Sequence, residues 1–259
     1  MVKINDIKYF NPPWTIAHRG YRQKYPENTL AAFQAAVAAG AQMIELDVML
    51  SRDRRPVVIH DDTLERTTNG QGMVKDYTLE ELKTLDAGSW YDPRFADQRL
   101  PELSEVLDLA GGRTRVNIEI KAQAYEPGHP SDAIENQVVA MVKKKNLQDA
   151  ILISSFEIDF LVQIAAMGDP PAIALISHTQ ASRRIVDICS HLKVFSWHPD
   201  HKIVSKRQVD IMHAAGLRVF PYNVDSFVDF KKMMDMGVEG VITDDPLTAG
   251  QWSRARTAA

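Results

Sequence analysis

Met43-Ile44-Glu45-Leu46-Asp47-Val48-Met49, followed beyond residues 50–55 by Pro56-Val57-Val58-Ile59-His60, decides how the chain folds. In the first run, Ile44, Leu46 and Val48 alternate with Glu45, Asp47 and Met49, the period of a β-strand whose two faces meet different surroundings. The second run is also β-type, but too few residues separate the two for a parallel crossover, which needs a dozen or more. It is therefore expected to return antiparallel, as a hairpin arm over about 56–60 that turns at residues 52–55 and brings His60 back beside Asp47.

Outward from this stretch the chain alternates short β-type runs with longer helical ones. Strands are expected at 14–18, 43–49, 116–121, 150–155, 172–177, 193–197, 218–223 and 240–243. The clearest helix spans 29–39, with Asn28 as its cap, an Ala-rich body and Gly40 as its stop. Eight strands with crossover helices imply the α/β class and a (β/α)8 TIM barrel. The alternative, an open doubly wound sheet, lacks a Gly-rich phosphate loop after the first strand. One domain over residues 1–259 is expected, with a small insertion after the second strand, at about 61–103 on the loop face. Trp90, Tyr91 and Phe95 within it are placed either to cover a substrate or to pack the insertion onto the barrel.

Composition narrows the function. The chain has 259 residues, 45% hydrophobic and 25% charged, with net charge −4 and no massed Lys or Arg, so nucleic acid is not an expected partner. Cys189 is the single cysteine and cannot form an intrachain disulfide. Residues 1–15 hold no apolar run long enough for a signal peptide or membrane span, which points to the cytoplasm, a trimmed leader aside, and to no stable membrane insertion.

Alternation then selects the reactive groups. In 116–121 the pattern of 43–49 recurs, with Val116, Ile118 and Ile120 on one face and Asn117, Glu119 and Lys121 on the other. Barrel strands face helices outside, so Glu45, Asp47 and Glu119 should converge inside. Three buried carboxylates repel one another and require either raised pKa values or a cation. All-oxygen ligation suits one divalent cation, Mg²⁺ or Ca²⁺, with Mn²⁺ also compatible. His18 and His60 end β-type runs where a barrel enzyme places catalytic groups, and imidazoles suit proton transfer at neutral pH. Arg19 and Lys121 offer positive charge to a phosphate or to the carboxylates. Trp197, at the end of its strand, is a candidate pocket wall. His198-Pro199-Asp200-His201 reads as a solvated loop rather than a second metal site.

The ordered set Ala17-His18-Arg19-Gly20, Pro26-Glu27-Asn28-Thr29, Glu45-Leu46-Asp47-Val48, Val57-Val58-Ile59-His60-Asp61, Arg66-Thr67-Thr68-Asn69-Gly70 and Glu119-Ile120-Lys121 resembles the glycerophosphodiester phosphodiesterase family. Gly237-Val238-Glu239-Gly240-Val241-Ile242-Thr243-Asp244-Asp245-Pro246 looks like its last strand. The resemblance implies a phosphatidylinositol-phospholipase-like barrel that hydrolyses a small-molecule glycerophosphodiester to sn-glycerol 3-phosphate and an alcohol with a divalent cation. By carry-over, Glu45, Asp47 and Glu119 are its metal ligands, His18 and His60 its acid and base pair, and Arg19 and Lys121 its phosphate contacts. Trp90, Trp197 and Tyr222 are candidate substrate contacts. Two departures stand out: Tyr222-Asn223-Val224-Asp225 replaces a common Trp-Thr-Val-Asn and bears on the alcohol pocket, and Arg54 replaces the usual Gly of the hairpin turn, where a change of turn geometry is expected. The same residues would serve a lysophospholipase D-type phosphodiesterase, which needs an apolar surface facing lipid. Oligomeric state is left open.

Overall fold

A computed structural model describes residues 2–4 and 13–257. Its order is β1 (Trp14–Ala17), α1 (Leu30–Ala38), β2 (Met43–Leu50), β3 (Pro56–Val58), α2 (Leu79–Leu82), α3 (Leu103–Ala110), β4 (Arg115–Ile120), α4 (Ile134–Lys144), β5 (Ile151–Ser155), α5 (Ile158–Ala165), β6 (Ala172–Ser177), α6 (Arg183–His191), β7 (Ser196–Pro199), α7 (Lys206–Ala214), β8 (Arg218–Val219), α8 (Phe227–Met236), β9 (Gly240–Thr243) and α9 (Pro246–Thr257). Eight strands run parallel in the order β8-β7-β6-β5-β4-β2-β1-β9, and β3 joins β2 from outside that path. The ring closes through backbone bonds from Ile242 to the Pro221 carbonyl and from Val224 to the Ile242 carbonyl. This is the TIM barrel read from the alternation of elements.

Two apolar layers hold it. Ile44, Leu46, Val48, Val116, Ile118 and Ile120 face outward into the large core shared with the helices. A smaller cluster, including Trp14, Ile16, Met43, Phe195 and Phe220, fills the barrel's lower interior. The inward row is thus apolar at the base and acidic above it: Met43 gives way to Glu45 and Asp47 along one strand. Leu64, Val74, Leu82, Ala87 and Leu100 of the segment after β3 belong to the large core, so this segment packs onto the barrel.

The hairpin forms as expected, with Val48 opposite Val58 and Leu50 opposite Pro56, antiparallel. Arg54 adopts φ +63°, so the turn keeps the left-handed backbone a Gly would supply rather than changing it. Its guanidinium bridges to both Glu126 carboxylate oxygens, at 2.7 and 2.8 Å, and to Asp132. These contacts offset the steric cost of a side chain there.

Three local expectations need correction. Thr29, not Asn28, caps α1, its hydroxyl accepting from the Ala32 amide. Asn28 takes φ +57° and turns inward instead. The seventh strand begins at Ser196 rather than 193, because Lys193 stands at φ +54° and breaks the extended run. The eighth is two residues long, since Pro221 has no N–H to continue a ladder, although Phe220 and Tyr222 still donate to β7 carbonyls.

Candidate active site

The loop after β1 builds the first wall. The His18 amide bonds to Thr243 of β9, and the chain then turns sharply through Arg19 at φ +54° and Gly20 at φ +82°. A Cβ on Gly20 would lie 2.7 Å from the backbone of Ala32, so only glycine lets α1 approach this turn. The turn points the Arg19 amide at Glu45 Oε2, 2.7 Å away. Asn28, freed from capping, donates from Nδ2 to Asp47 Oδ2 at 2.9 Å.

Glu45, Asp47 and Glu119 present oxygens that all lie within 4.8 Å of one another, and they form the sole cluster of metal-ligand geometry among the described residues. Register enforces this, because Asp47 pairs directly with Glu119 and Glu45 with Asn117. Burial and the neighbouring carboxylates push Glu45 well above the usual range. Burial and Asp47 push Glu119 up to about 7. Asp47 is buried too, but Arg19, Lys121 and His60 hold it far below its ordinary value. An oxygen-only donor set of mutually repelling, buried carboxylates fits a hard divalent cation.

Fixed cations already lean on the trio. The Lys121 ammonium lies 3.2 Å from Asp47 and 2.6 Å from Glu119. Arg19 donates to Glu27 at 2.8 Å, and its Nε lies 3.3 Å from Asp47 Oδ2 without hydrogen-bond alignment. Buried Glu27 also receives both terminal nitrogens of Arg66, which hold it down to about 2 against its burial.

Both imidazoles are backed by carboxylates. His18 Nδ1 meets Asp244 Oδ1 at 2.7 Å, and Asn223 Nδ2 donates to the same oxygen at 2.9 Å. His60 Nδ1 meets Asp61 Oδ1 at 2.5 Å, and Asp61 is gripped in turn by Arg66. Burial lowers both imidazoles, and these carboxylates work against that shift. The backbone bond from Ile59 to the Asp47 carbonyl carries out the return of His60 toward Asp47.

These groups open onto one cavity of about 540 Å³, lined among others by His18, Arg19, Glu45, His60, Glu119, Lys121 and Tyr222. Two expected contacts lie elsewhere. Trp197 is fully buried in the outer core, since it pairs with outward-facing Leu175; the inward neighbours on that strand are Ser196 and His198. His198 is therefore a buried strand residue, not part of a solvated loop. Trp90 is 40% exposed, bonds to the Ala87 carbonyl and meets Tyr91 edge-on, away from the cavity. Its neighbours Tyr91 and Phe95 pack on the loop after β1, at the Gln23 carbonyl and the Tyr25 ring.

Asp61, Asp244, Asn223, Phe156 and His178 were not selected from sequence. Asp61 adjoins His60, Asn223 lies in the departure noted after Tyr222 and Asp244 in the last-strand motif, whereas Phe156 and His178 carried no local signal. Phe156, His178 and Tyr222 form an aromatic rim, with Phe156 stacked on His178 at 4.5 Å.

Residues 18–248 match the model of the glycerophosphoryl diester phosphodiesterase family. A glycerophosphodiester phosphodiesterase of Caldanaerobacter subterraneus is 40% identical over 238 residues, covering 90% of this chain and 94% of that one. Another, from Bacillus subtilis, is 32% identical over 249 residues, covering 90% and 83%. Among solved structures, an Oleispira antarctica phosphodiesterase in complex with the product sn-glycerol-3-phosphate superposes with a TM-score of 0.84 at 32% identity, covering 93% and 96%.

Proposed function

The chain belongs to the glycerophosphoryl diester phosphodiesterase family, and from that premise we propose that it hydrolyses glycerophosphodiesters to sn-glycerol 3-phosphate and an alcohol, using one divalent cation and a histidine acid–base pair. The observation that carries this reading is a cavity lined by Glu45, Glu119 and two Asp-backed imidazoles, with Asp47 completing the carboxylate cluster behind it. The product bound to the Oleispira antarctica relative supports the choice of substrate.

In this reading Glu45, Asp47 and Glu119 hold the cation, Mg²⁺, Ca²⁺ or Mn²⁺, which would neutralise phosphate charge as phosphorus is attacked. Lys121 and Arg19, which face the carboxylates here, supply charge-assisted hydrogen bonds to the remaining phosphate oxygens. With Nδ1 of each ring held by aspartate, Nε2 of His18 and of His60 is the nitrogen that exchanges a proton in the cavity. One takes the proton of the attacking hydroxyl, the other delivers a proton to the departing alkoxide, and one water is consumed overall. Attack by the glycerol 2-hydroxyl gives a cyclic phosphate that water then opens; direct attack by water uses the same groups. A substrate without the 2-hydroxyl separates the routes, because normal turnover excludes the cyclic one.

Choline release from glycerophosphocholine and from its lysolipid, each with and without chelator, tests the reaction. Chelator-sensitive release from the water-soluble diester is expected. Release from the lysolipid alone would favour the lysophospholipase D-type reaction. No described helix is long and apolar enough to cross a membrane.

A further inference from the structure

Below the acidic trio the cavity reaches a floor that the acid–base chemistry leaves unused. Asn117 pairs with Glu45 in the ladder, two residues before Glu119 on the same inward row, and it lines the cavity with His198, Ile176 and Ile242. Asn117 and His198 are each 1% exposed. Even so, Asn117 Oδ1 and His198 Nδ1 have no hydrogen-bond partner among the described residues. Buried polar atoms are almost always paired, so two orphans on residues that line one cavity, from β4 and from β7, mark places where something else completes the bonds.

Their chemistry says what that partner is. His198 Nε2 lies 2.9 Å from Ser196 Oγ. With the serine hydroxyl donating to Nε2, the ring proton sits on Nδ1, which is then a donor. Burial holds this imidazole down to about 3, so it stays neutral. Asn117 Oδ1 is an acceptor. The surroundings are apolar: Ile176, Ile242, and the Phe220 ring 5.7 Å from the imidazole. In that tautomer the cavity presents an uncharged donor on β7 and an uncharged acceptor on β4 amid apolar side chains, which suit a ligand arm whose groups both give and take hydrogen bonds. An alcohol hydroxyl does this.

We propose that Asn117 and His198 form a hydroxyl-recognition subsite that seats the glycerol arm of the substrate on the cavity floor, leaving the departing alcohol to face the rim of Phe156, His178 and Tyr222. The subsite rests on the reaction proposed above and adds to it the reason for a glycerol preference. A diester without hydroxyls would leave both buried groups unpaired, the situation in which a site discriminates most strongly.

The test compares ligands that differ only in those hydroxyls. Binding of sn-glycerol 3-phosphate and of propyl phosphate to the intact chain is measured by calorimetry, alongside turnover of glycerophosphocholine. The wild-type chain should prefer sn-glycerol 3-phosphate by about tenfold or more, as expected for a buried hydrogen bond gained or lost. Asn117→Leu and His198→Phe, each confirmed as folded by thermal melting, should each cut that preference about tenfold, and His198→Gln, which keeps a donor, should restore part of it. Wild-type turnover with equal affinity for the two ligands overturns the subsite alone, as does an unchanged preference in both folded variants. A wild-type chain that leaves glycerophosphocholine intact overturns the reaction, and the subsite with it.

Discussion

His18 and Asp244 are 226 residues apart in sequence, and their side chains meet at 2.7 Å, Nδ1 to Oδ1. The barrel's closure brings them together, because β1 and β9 are neighbours with Ala17 opposite Thr243. One residue beyond each partner, the two chains leave the ladder side by side. Asp244 stays ionised, held below its ordinary value against its own burial by the His18 imidazole, Arg22 and Asn223.

Asp244→Asn should therefore lower kcat toward the loss seen on removing His18 itself, about 10²- to 10⁴-fold, by releasing the ring from its tautomer and orientation. KM should move little. Steady-state kinetics on glycerophosphocholine check this, and unchanged kcat would remove Asp244 from the positioning role.

Cation binding should depend on pH in a defined direction. Glu119, raised to about 7, keeps a proton in the fold where an unfolded chain would already be ionised. Its contribution to stability is full below the ordinary value of 4.5 and is lost as pH climbs through about 7. Magnesium or calcium, by neutralising the ionised trio, should raise Tm more at pH 8 than at pH 5. Equal shifts at the two pH values in thermal melts would contradict the assignment of these carboxylates to a cation.

Acid should destabilise the barrel through His198. Its folded value of about 3 lies below the ordinary 6.5, so between these limits only the unfolded chain takes up the proton. Stability from this group is complete above 6.5 and falls by about 1.4 kcal/mol per pH unit toward about 3. Urea unfolding at pH 7, 5 and 4 should show a shallower acid dependence for His198→Gln than for wild type; parallel curves would refute it.

The hairpin turn offers a backbone test. At φ +63°, Arg54→Ala keeps the strain of a side chain and Arg54→Gly removes it, while both lose Glu126 and Asp132. The alanine variant should be less stable than the glycine variant by about 1 kcal/mol, readable as a shift in urea midpoint. Identical midpoints would mean the turn relaxes.

The sequence by itself determined the alternation of elements, the hairpin and the acidic trio. The last two are local consequences of period-two patterning: Glu45, Asp47 and Glu119 sit in rows whose opposite faces are uniformly apolar, so only one orientation buries the right side. Around residues 193–199 no such contrast exists. Phe195 lies in the inner cluster, Trp197 in the outer core and His198 on the cavity, and the strand's starting point, displaced by the turn at Lys193, decides which row faces in. A row read from the wrong end assigns the wrong residue to the wall.

Only the tertiary structure decided the rest of the site. Asp244 behind His18 depends on β1 and β9 becoming neighbours when the barrel closes, and the unpaired floor of Asn117 and His198 on β4 and β7 facing one cavity, while Asn28 on Asp47 and Arg66 across Glu27 and Asp61 depend on how the loops fold back over the strands. Local patterning carries the face a side chain occupies, because one strand's geometry sets it. It carries no record of partners hundreds of residues away, because those contacts exist only once the ring of strands has shut.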